Sequence, residues 1–261
     1  MKISVIGAGA MGGAMVEGFL QGETFRATDI TVADPCDKTL DRFAAMGVSV
    51  TSDNHLAAQG SDIVAVVVKP WLVEKVLTDI KEVLDYQRQL LVVVAAGVSS
   101  TQVREWMDKQ GQCPHFFLVI PNIAIAQKAS MTFIVPIGVT EGEVRCLSDL
   151  FNELGSSMVI EEHLLGAGTT LASCGIAYAM RYIRASVEGG VELGFKAKDA
   201  TDIVLQTVKG VVELLRATGE HPEVAIDKVT TPGGVTIKGL NEMEHAGFTS
   251  AVIRGLKAGA K

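Results

Sequence analysis

The stretch KISVIGAGAMG at positions 2–12 decides the fold. Lys2–Ile6 has strand character and runs directly into a Gly-x-Gly-x-x-Gly pattern, after which apolar residues at helical spacing predict a helix over 11–21. In a dinucleotide-binding turn, Gly7 permits the tight bend, Gly9 lets the backbone approach a pyrophosphate, and Gly12 lets the helix pack on the strand. The helix N-terminus then presents free N–H groups to the phosphates.

Strand and helix signals alternate beyond this stretch. Further strands are predicted at 30–33, 48–50, 63–68, 90–95 and 116–120, and further helices at 38–46, 71–84 and 99–107. The alternation predicts an α/β fold, a Rossmann-type doubly wound parallel sheet domain over residues 1–160.

Residues 161–261 are predicted to form an all-helical dimerisation domain. One long helix is expected from 167 to 193, and its charges line a single stripe: Arg181, Arg184, Glu188 and Glu192. The rest of its surface is apolar or small, which predicts that a second subunit completes the core. Shorter helices are predicted at 199–217 and 235–245.

The composition argues against several classes of protein. The net charge is −7 and no Lys/Arg cluster occurs, which argues against nucleic-acid binding. No apolar run reaches the roughly 20 residues of a membrane span. Four cysteines without a CxxC pair predict free thiols, with no metal site, and the absence of a targeting pattern predicts a cytoplasmic location.

Asp34 is a candidate cofactor ligand because it ends the second strand, 22 residues after Gly12. A carboxylate there accepts hydrogen bonds from the adenosine ribose, which favours NADH. Lys38 and Arg42 follow at helical spacing and offer an alternative, attraction of the 2′-phosphate of NADPH. Asp34 could also cap the next helix. The choice between NADPH and NADH therefore stays open at this stage.

Further motifs give the chain a family resemblance. They are Val67-Val68-Lys69-Pro70, Ala95-Ala96-Gly97, Pro121-Asn122 and the segment Thr230–Thr236. With the glycine fingerprint, their order and spacing resemble pyrroline-5-carboxylate reductases. The resemblance implies a Rossmann half and an interlocked helical half, assembled as a homodimer or higher homo-oligomer. It also implies hydride transfer from NAD(P)H to the C=N of a small cyclic imino acid, 1-pyrroline-5-carboxylate, giving L-proline.

The resemblance also assigns residues to the site. The cofactor-binding positions are Ile6, Gly7, Ala8, Gly9, Ala10, Met11, Gly12, Asp34, Asn54, Val67, Val68, Lys69, Pro70, Ala95, Ala96 and Gly97. The substrate-binding positions are Glu162, Thr231, Gly233, Gly234, Val235 and Thr236. The predicted catalytic residues are Thr236, whose hydroxyl would meet the ring nitrogen, and Lys69. Helix capping by Thr236, a solvated Lys69 and a surface Glu162 are the alternatives.

Some positions depart from the family pattern. The PNTPA motif is Pro121-Asn122-Ile123-Ala124-Ile125, the SGSGPAY motif is changed over 172–178, and Val235 replaces the first threonine of PGGTT. Arg181 also stands where the family is usually apolar. These changes keep two other readings open. One is a related NAD(P)-dependent imine or β-hydroxyacid oxidoreductase, and the other is a non-catalytic nucleotide-binding paralogue.

Overall fold

The computed structural model describes residues 1–260, which form two compact units, Met1–Ser173 and a helical unit that begins at Cys174. The sequence pattern changes near 160, but the first unit continues to Ser173. The reason is packing, since Leu165 is buried in the core of the sheet and Gly168 lies against the ring of Phe133.

The first unit is built on one eight-stranded sheet of order β3-β2-β1-β4-β5-β6-β7-β8. Its strands are β1 Ile3–Ile6, β2 Ile30–Ala33, β3 Ser49–Thr51, β4 Ile63–Val66, β5 Leu90–Val93, β6 Phe116–Ile120, β7 Ser130–Ile137 and β8 Gly155–Val159. Neighbouring strands are parallel except β6 and β7. The predicted Rossmann-type fold is confirmed, with this antiparallel pair as a correction to the all-parallel expectation.

Helices cover both faces of the sheet. They are α1 Ala10–Gln21, α2 Asp37–Ala44, α3 Asn54–Gln59, α4 Pro70–Ile80, α5 Ser100–Met107, α6 Glu141–Asn152 and the short α7 Leu165–Gly168. Two apolar clusters result, one on each side of the strands. Met15 and Phe19 of α1 are fully buried in one of them, as their helical spacing predicted.

The sequence patterns gave no prediction for β7, α6 and β8. The chain reverses after β6 through a 3₁₀ helix, Ile123–Gln127, in which the Asn122 side chain accepts a hydrogen bond from the Ala124 N–H. Lys128 then adopts a left-handed conformation with φ 54° and ends this helix. The reversal makes β7 antiparallel to β6.

The helical unit contains α8 Gly175–Glu192, α9 Ala197–Thr218, α10 Pro222–Lys228, α11 Val235–His245 and α12 Phe248–Gly259. The predicted helix over 167–193 is interrupted by a π-helical stretch, Thr169–Cys174, ahead of α8. On the predicted stripe, Arg184 and Glu188 form an ion pair of 2.8 Å. Among residues 174–260, Val187 and Ala200 are the only buried apolar residues, so most apolar side chains of this part of the chain are at least partly exposed.

Within residues 1–260, no helix combines the length and apolar character that crossing a bilayer requires. The same residues contain no group of three or more His, Cys, Asp or Glu side chains placed to hold a metal ion. All four cysteines are free, as the absence of paired spacings predicted.

Candidate functional site

The turn between β1 and α1 requires its glycines. Gly7 has φ +93°, and a Cβ there would lie 2.5 Å from the Val67 carbonyl oxygen on the neighbouring strand. Its N–H donates to the Ala33 carbonyl at 2.7 Å. A Cβ on Gly12 would lie less than 3.0 Å from the Gly7 carbonyl oxygen, so only hydrogen fits where α1 folds back on the turn. The conformational roles predicted for both residues agree with this geometry.

Gly9 differs because a Cβ there would meet nothing within 4 Å. Gly9 is the N-cap of α1, and no side chain caps this helix or places an acid in its first turn. The first N–H groups of a helix have no intrahelical partner and carry partial positive charge. The open space and the free donors together fit the pyrophosphate of a dinucleotide.

Asp34 follows β2 and links two loops. Its Oδ2 accepts a hydrogen bond from the Ala8 N–H at 2.9 Å, and its Oδ1 accepts one from the Cys36 N–H at 2.9 Å. The first contact fastens the carboxylate to the glycine turn, and the second fastens it to the turn before α2. The alternative that Asp34 caps α2 is therefore met only in part. Its carboxylate accepts the N–H of Cys36, the N-cap residue, rather than an N–H of the first turn, which begins at Asp37.

The thiol of Cys36 is exposed at the start of α2. A hydrogen bond from the backbone N–H of Thr39 lowers the pKa of this thiol below its ordinary value. This effect agrees with the partial positive charge of a helix N-terminus, which favours a negatively charged thiolate.

Lys69 is exposed and forms the N-cap of α4, and Pro70 occupies the first position of that helix. Proline suits this position because its missing N–H would have no partner there. The pair stands just beyond β4, at the carboxyl edge where open α/β sheets bind ligands. Among the ion pairs of residues 1–260, none includes Lys69.

A cavity of about 410 Å³ gathers these features at the carboxyl edge of the sheet. Eight predicted cofactor positions line it: Gly7, Gly9, Ala10, Met11, Asp34, Val67, Val68 and Lys69. Four lining residues were not predicted: Pro35, Leu72, Val94 and Ile123. Val94 follows β5 directly, and Ile123 lies three residues after β6. Both could have been predicted from the rule that ligands of open α/β sheets bind at the carboxyl ends of the strands.

The other predicted cofactor positions lie outside the lining. Ile6, Ala8, Gly12 and Ala95 are buried, whereas Pro70, Ala96 and Gly97 are exposed. Asn54 opens α3, and its Nδ2 donates to Asp79 Oδ2 at 3.2 Å. Its amide is therefore held by a neighbouring helix rather than by the cavity wall.

Glu162 is half-buried and caps α5. Its carboxylate accepts hydrogen bonds from the Ser100 N–H at 2.7 Å and from the Ser100 hydroxyl at 2.5 Å. The alternative of a surface glutamate without a structural role therefore does not hold, because this carboxylate accepts the N–H of the first residue of α5.

The predicted substrate turn belongs to the helical unit. Gly233 has φ +71°, and the Gly234 N–H donates to the Thr231 carbonyl at 3.0 Å, which closes a tight turn. Gly234 is the N-cap of α11, again without a side-chain cap or an acid in the first turn. Val235 and Thr236 are exposed in that first turn. The five predicted residues of this segment are therefore together and form a helix N-terminus with free donors.

The helical unit also carries an apolar groove of about 500 Å³ between α8, α11 and α12. Tyr178, Tyr182, Met243 and Phe248 line it, and Arg181 is the one charged side chain among the described residues of its lining. Arg181 thus belongs to this groove as well as to the stripe that its spacing predicted.

Two protein-family models match the chain. The model for pyrroline-5-carboxylate reductase dimerisation matches residues 162–261, and the model for coenzyme F420-dependent NADP oxidoreductases matches residues 2–97.

Similar proteins match over nearly the whole chain. Pyrroline-5-carboxylate reductase 1 of Dictyostelium discoideum is 36% identical over 97% of this chain, which spans 48% of that protein's length. Pyrroline-5-carboxylate reductase of Arabidopsis thaliana is 32% identical, with 100% of this chain and 93% of the relative covered. The crystal structure of Plasmodium falciparum pyrroline carboxylate reductase with NADP bound has the same fold. Its TM-score is 0.90 at 24% identity, and the match covers 100% of this chain and 95% of that chain.

Proposed function

Because this chain belongs to the pyrroline-5-carboxylate reductase family, we propose that it reduces 1-pyrroline-5-carboxylate to L-proline with a reduced nicotinamide dinucleotide. The family membership that the motifs predicted is confirmed by full-length relatives. The observation that carries the proposal is the open N-terminus of α1, where Gly9 faces the cavity with no capping side chain. This feature supports dinucleotide binding, and the family supplies the substrate class.

The cofactor end is served by residues of the first unit. The N–H groups of the first turn of α1 bind the pyrophosphate, and Asp34 accepts hydrogen bonds from the ribose. Lys69 places a positive charge on the wall of the same cavity. When bound, NADH or NADPH supplies the hydride that reduces the C=N bond.

The substrate end is served by the segment Thr231–Thr236. The free N–H groups that open α11 bind the substrate carboxylate, and the Thr236 hydroxyl orients the ring nitrogen. A protonated imine is already electrophilic, so positioning and electrostatic stabilisation supply most of the rate. Glu162 keeps its predicted role near the substrate in this proposal, in addition to capping α5.

We expect the chain to act as a homodimer or a larger homo-oligomer in the cytoplasm. The match to the dimerisation model supports this assembly. The exposed apolar surface of the helical unit, including Leu193, Val211 and Leu214, also supports it, because isolated subunits rarely leave so much apolar area in water.

The test is the loss of reduced-nicotinamide absorbance when pyrroline-5-carboxylate is added, with L-proline identified as the product. Thr236→Ala should lower kcat about tenfold to a hundredfold, the effect of losing a hydrogen bond to a charged group worth about 1.5–3 kcal/mol. Thr249→Ala is the matched control, since Thr249 is also the exposed second residue of its helix. Its kcat should stay within about twofold of the unchanged protein.

Three outcomes would contradict the proposal. Turnover confined to another imine or to a β-hydroxy acid would indicate the related oxidoreductase. Dinucleotide binding without any turnover would indicate a non-catalytic paralogue. Equal effects of the two threonine substitutions would remove Thr236 from its assigned role.

A further inference from the structure

We propose that the chain selects NADH over NADPH through two carboxylates, Asp34 at the cavity and Glu17 on α1, and that Glu17 acts by holding Arg42 away from a 2′-phosphate. The inference rests on the proposed function only in requiring a dinucleotide in the cavity beside the glycine turn. Asp34 is the direct determinant, and Glu17 is a positioning residue.

The Asp34 carboxylate is fixed before any ligand arrives. Each of its oxygens already accepts one backbone N–H, from Ala8 and from Cys36, at 2.9 Å. A carboxylate has about four lone-pair sites, so each oxygen keeps one for a ribose hydroxyl. Turning the carboxylate away from a 2′-phosphate would leave both N–H groups without their acceptor. The negative charge therefore stays on the cavity wall, where it repels a phosphate dianion and accepts from a diol.

Arg42 is the guanidinium that would otherwise offset this charge. It lies beside the first turns of α1, with Nη1 3.9 Å from the position a Cβ would take on Gly13. It is bonded to the Glu17 carboxylate, one turn further along the same helix, and its guanidinium stands 5.1 Å from the ring centroid of Phe43. One arm of the guanidinium, Nη2, is thus taken up by Glu17, and this contact draws Arg42 along α1 and away from its first turn.

The remaining charges of the segment 34–42 do not reverse this balance. Asp34, Asp37 and Asp41 face two cations, Lys38 and Arg42, of which the second is paired with Glu17. Lys38 is exposed near the start of α2, and its ammonium is a strongly hydrated point charge without the bidentate geometry of a guanidinium. Lys38 gives NADPH a residual attraction and leaves the preference for NADH in place.

The experiment measures dissociation constants of the full chain for NADH and NADPH by direct titration without any imine. The unchanged protein should bind NADH at least about tenfold more tightly. Glu17→Gln should strengthen NADPH binding about two- to fivefold, the range of an exposed ion pair, and leave NADH binding unchanged. Adding Arg42→Gln to Glu17→Gln should remove that gain. Glu141→Gln, which makes the same charge change at the Arg145 pair of α6, should alter neither constant.

Asp34 is tested with two substitutions. Asp34→Ser should move the NADH-to-NADPH ratio of dissociation constants toward NADPH by about tenfold or more. Asp34→Asn keeps one acceptor for the turns and should move the ratio in the same direction, which separates the effect of charge from a loosened glycine turn.

The inference is overturned if the unchanged protein binds NADPH as tightly as NADH, or if Glu17→Gln changes neither constant or both equally. Because no imine is present, a chain that binds NADH selectively but does not reduce pyrroline-5-carboxylate sinks the proposed function alone. Turnover of pyrroline-5-carboxylate by a chain that prefers NADPH sinks this inference alone.

Discussion

A methyl group added at Gly9 should weaken cofactor binding, whereas one added at Gly12 should destabilise the fold. Gly9 has φ −65° and open space at its Cβ position, so Gly9→Ala fits the protein but fills the space for the pyrophosphate. A Cβ on Gly12 would overlap the Gly7 carbonyl oxygen and lie 3.0 Å from the carbonyl carbon. Gly12→Ala therefore forces the glycine turn and α1 apart.

The expected magnitudes differ in kind. At Gly9, alanine is a poorer N-cap by up to about 1 kcal/mol, and the lower entropy of the unfolded chain offsets about 0.4–1 kcal/mol of this. The free energy of unfolding should thus change by less than about 0.5 kcal/mol. Loss of one charge-assisted hydrogen bond, about 1.5–3 kcal/mol, should weaken NADH binding roughly tenfold to a hundredfold. Gly12→Ala should cost about 2 kcal/mol of stability, because overpacking of up to about 3 kcal/mol exceeds the gain in helix propensity of about 1 kcal/mol.

The assay pairs urea unfolding at fixed protein concentration with fluorescence titration of NADH. Gly142→Ala is the control in α6, because its nearest contact would be an ordinary 3.8 Å to the Thr140 hydroxyl oxygen. It should leave NADH binding unchanged and raise the free energy of unfolding by at most about 1 kcal/mol, the same gain in helix propensity. If Gly9→Ala binds NADH as well as the unchanged protein, no phosphate approaches this backbone. If Gly12→Ala is as stable as the control, the close packing of α1 on the turn is wrong.

Three further changes should show in the urea midpoint. Burial raises the pKa of Tyr86. The contribution of its neutral hydroxyl to the free energy of unfolding is therefore complete below about pH 10, the pKa in the unfolded chain, and is lost as the pH rises above it. Tyr86→Phe should flatten the decline in stability between about pH 9 and 11, and an unchanged slope would contradict this. The hydrogen bond from Thr24 lowers the pKa of Glu153, so the stability that this carboxylate contributes above about pH 4.3 is lost as the pH falls. Glu153→Gln should reduce this loss of stability in acid. The same loss in both proteins would refute the prediction. Gly155 has φ +141°, and a Cβ there would lie under 3.0 Å from the backbone of Ser130. Gly155→Ala should therefore lower the free energy of unfolding by about 3 kcal/mol. An unchanged urea midpoint would exclude the steric conflict with Ser130.

The sequence predicted the glycine turn because its function is local. Backbone approach, positive φ and close helix packing are properties of single glycines, and their spacing shows them directly. The antiparallel strand β7 was missed for the opposite reason. The reversal that produces it depends on Asn122 as a side-chain cap and on Lys128 at φ 54°, and a lysine carries no sequence signal for left-handed backbone.

Contacts between distant segments were also beyond the sequence. The spacing of Asp34 identified a strand end but could not show that its carboxylate accepts the Ala8 N–H on the neighbouring turn. Glu162 and Ser100 are separated by 62 residues, and only the fold brings them together. The pair of Arg42 with Glu17 is of the same kind, since it joins the faces of two helices.

The starts of the helices give the cavity its chemical character. In the first unit α3, α5 and α6 begin with Asp53, Ser99 and Thr140, whose side chains accept the first backbone N–H groups. At α1 the corresponding residue is Gly9, which has no side chain to offer. A capping oxygen there would satisfy the donors and stabilise the helix by about 1 kcal/mol, so its absence costs stability. The N-cap glycine therefore leaves N–H groups of α1 unsatisfied at the cavity, where an anionic ligand would complete the capping.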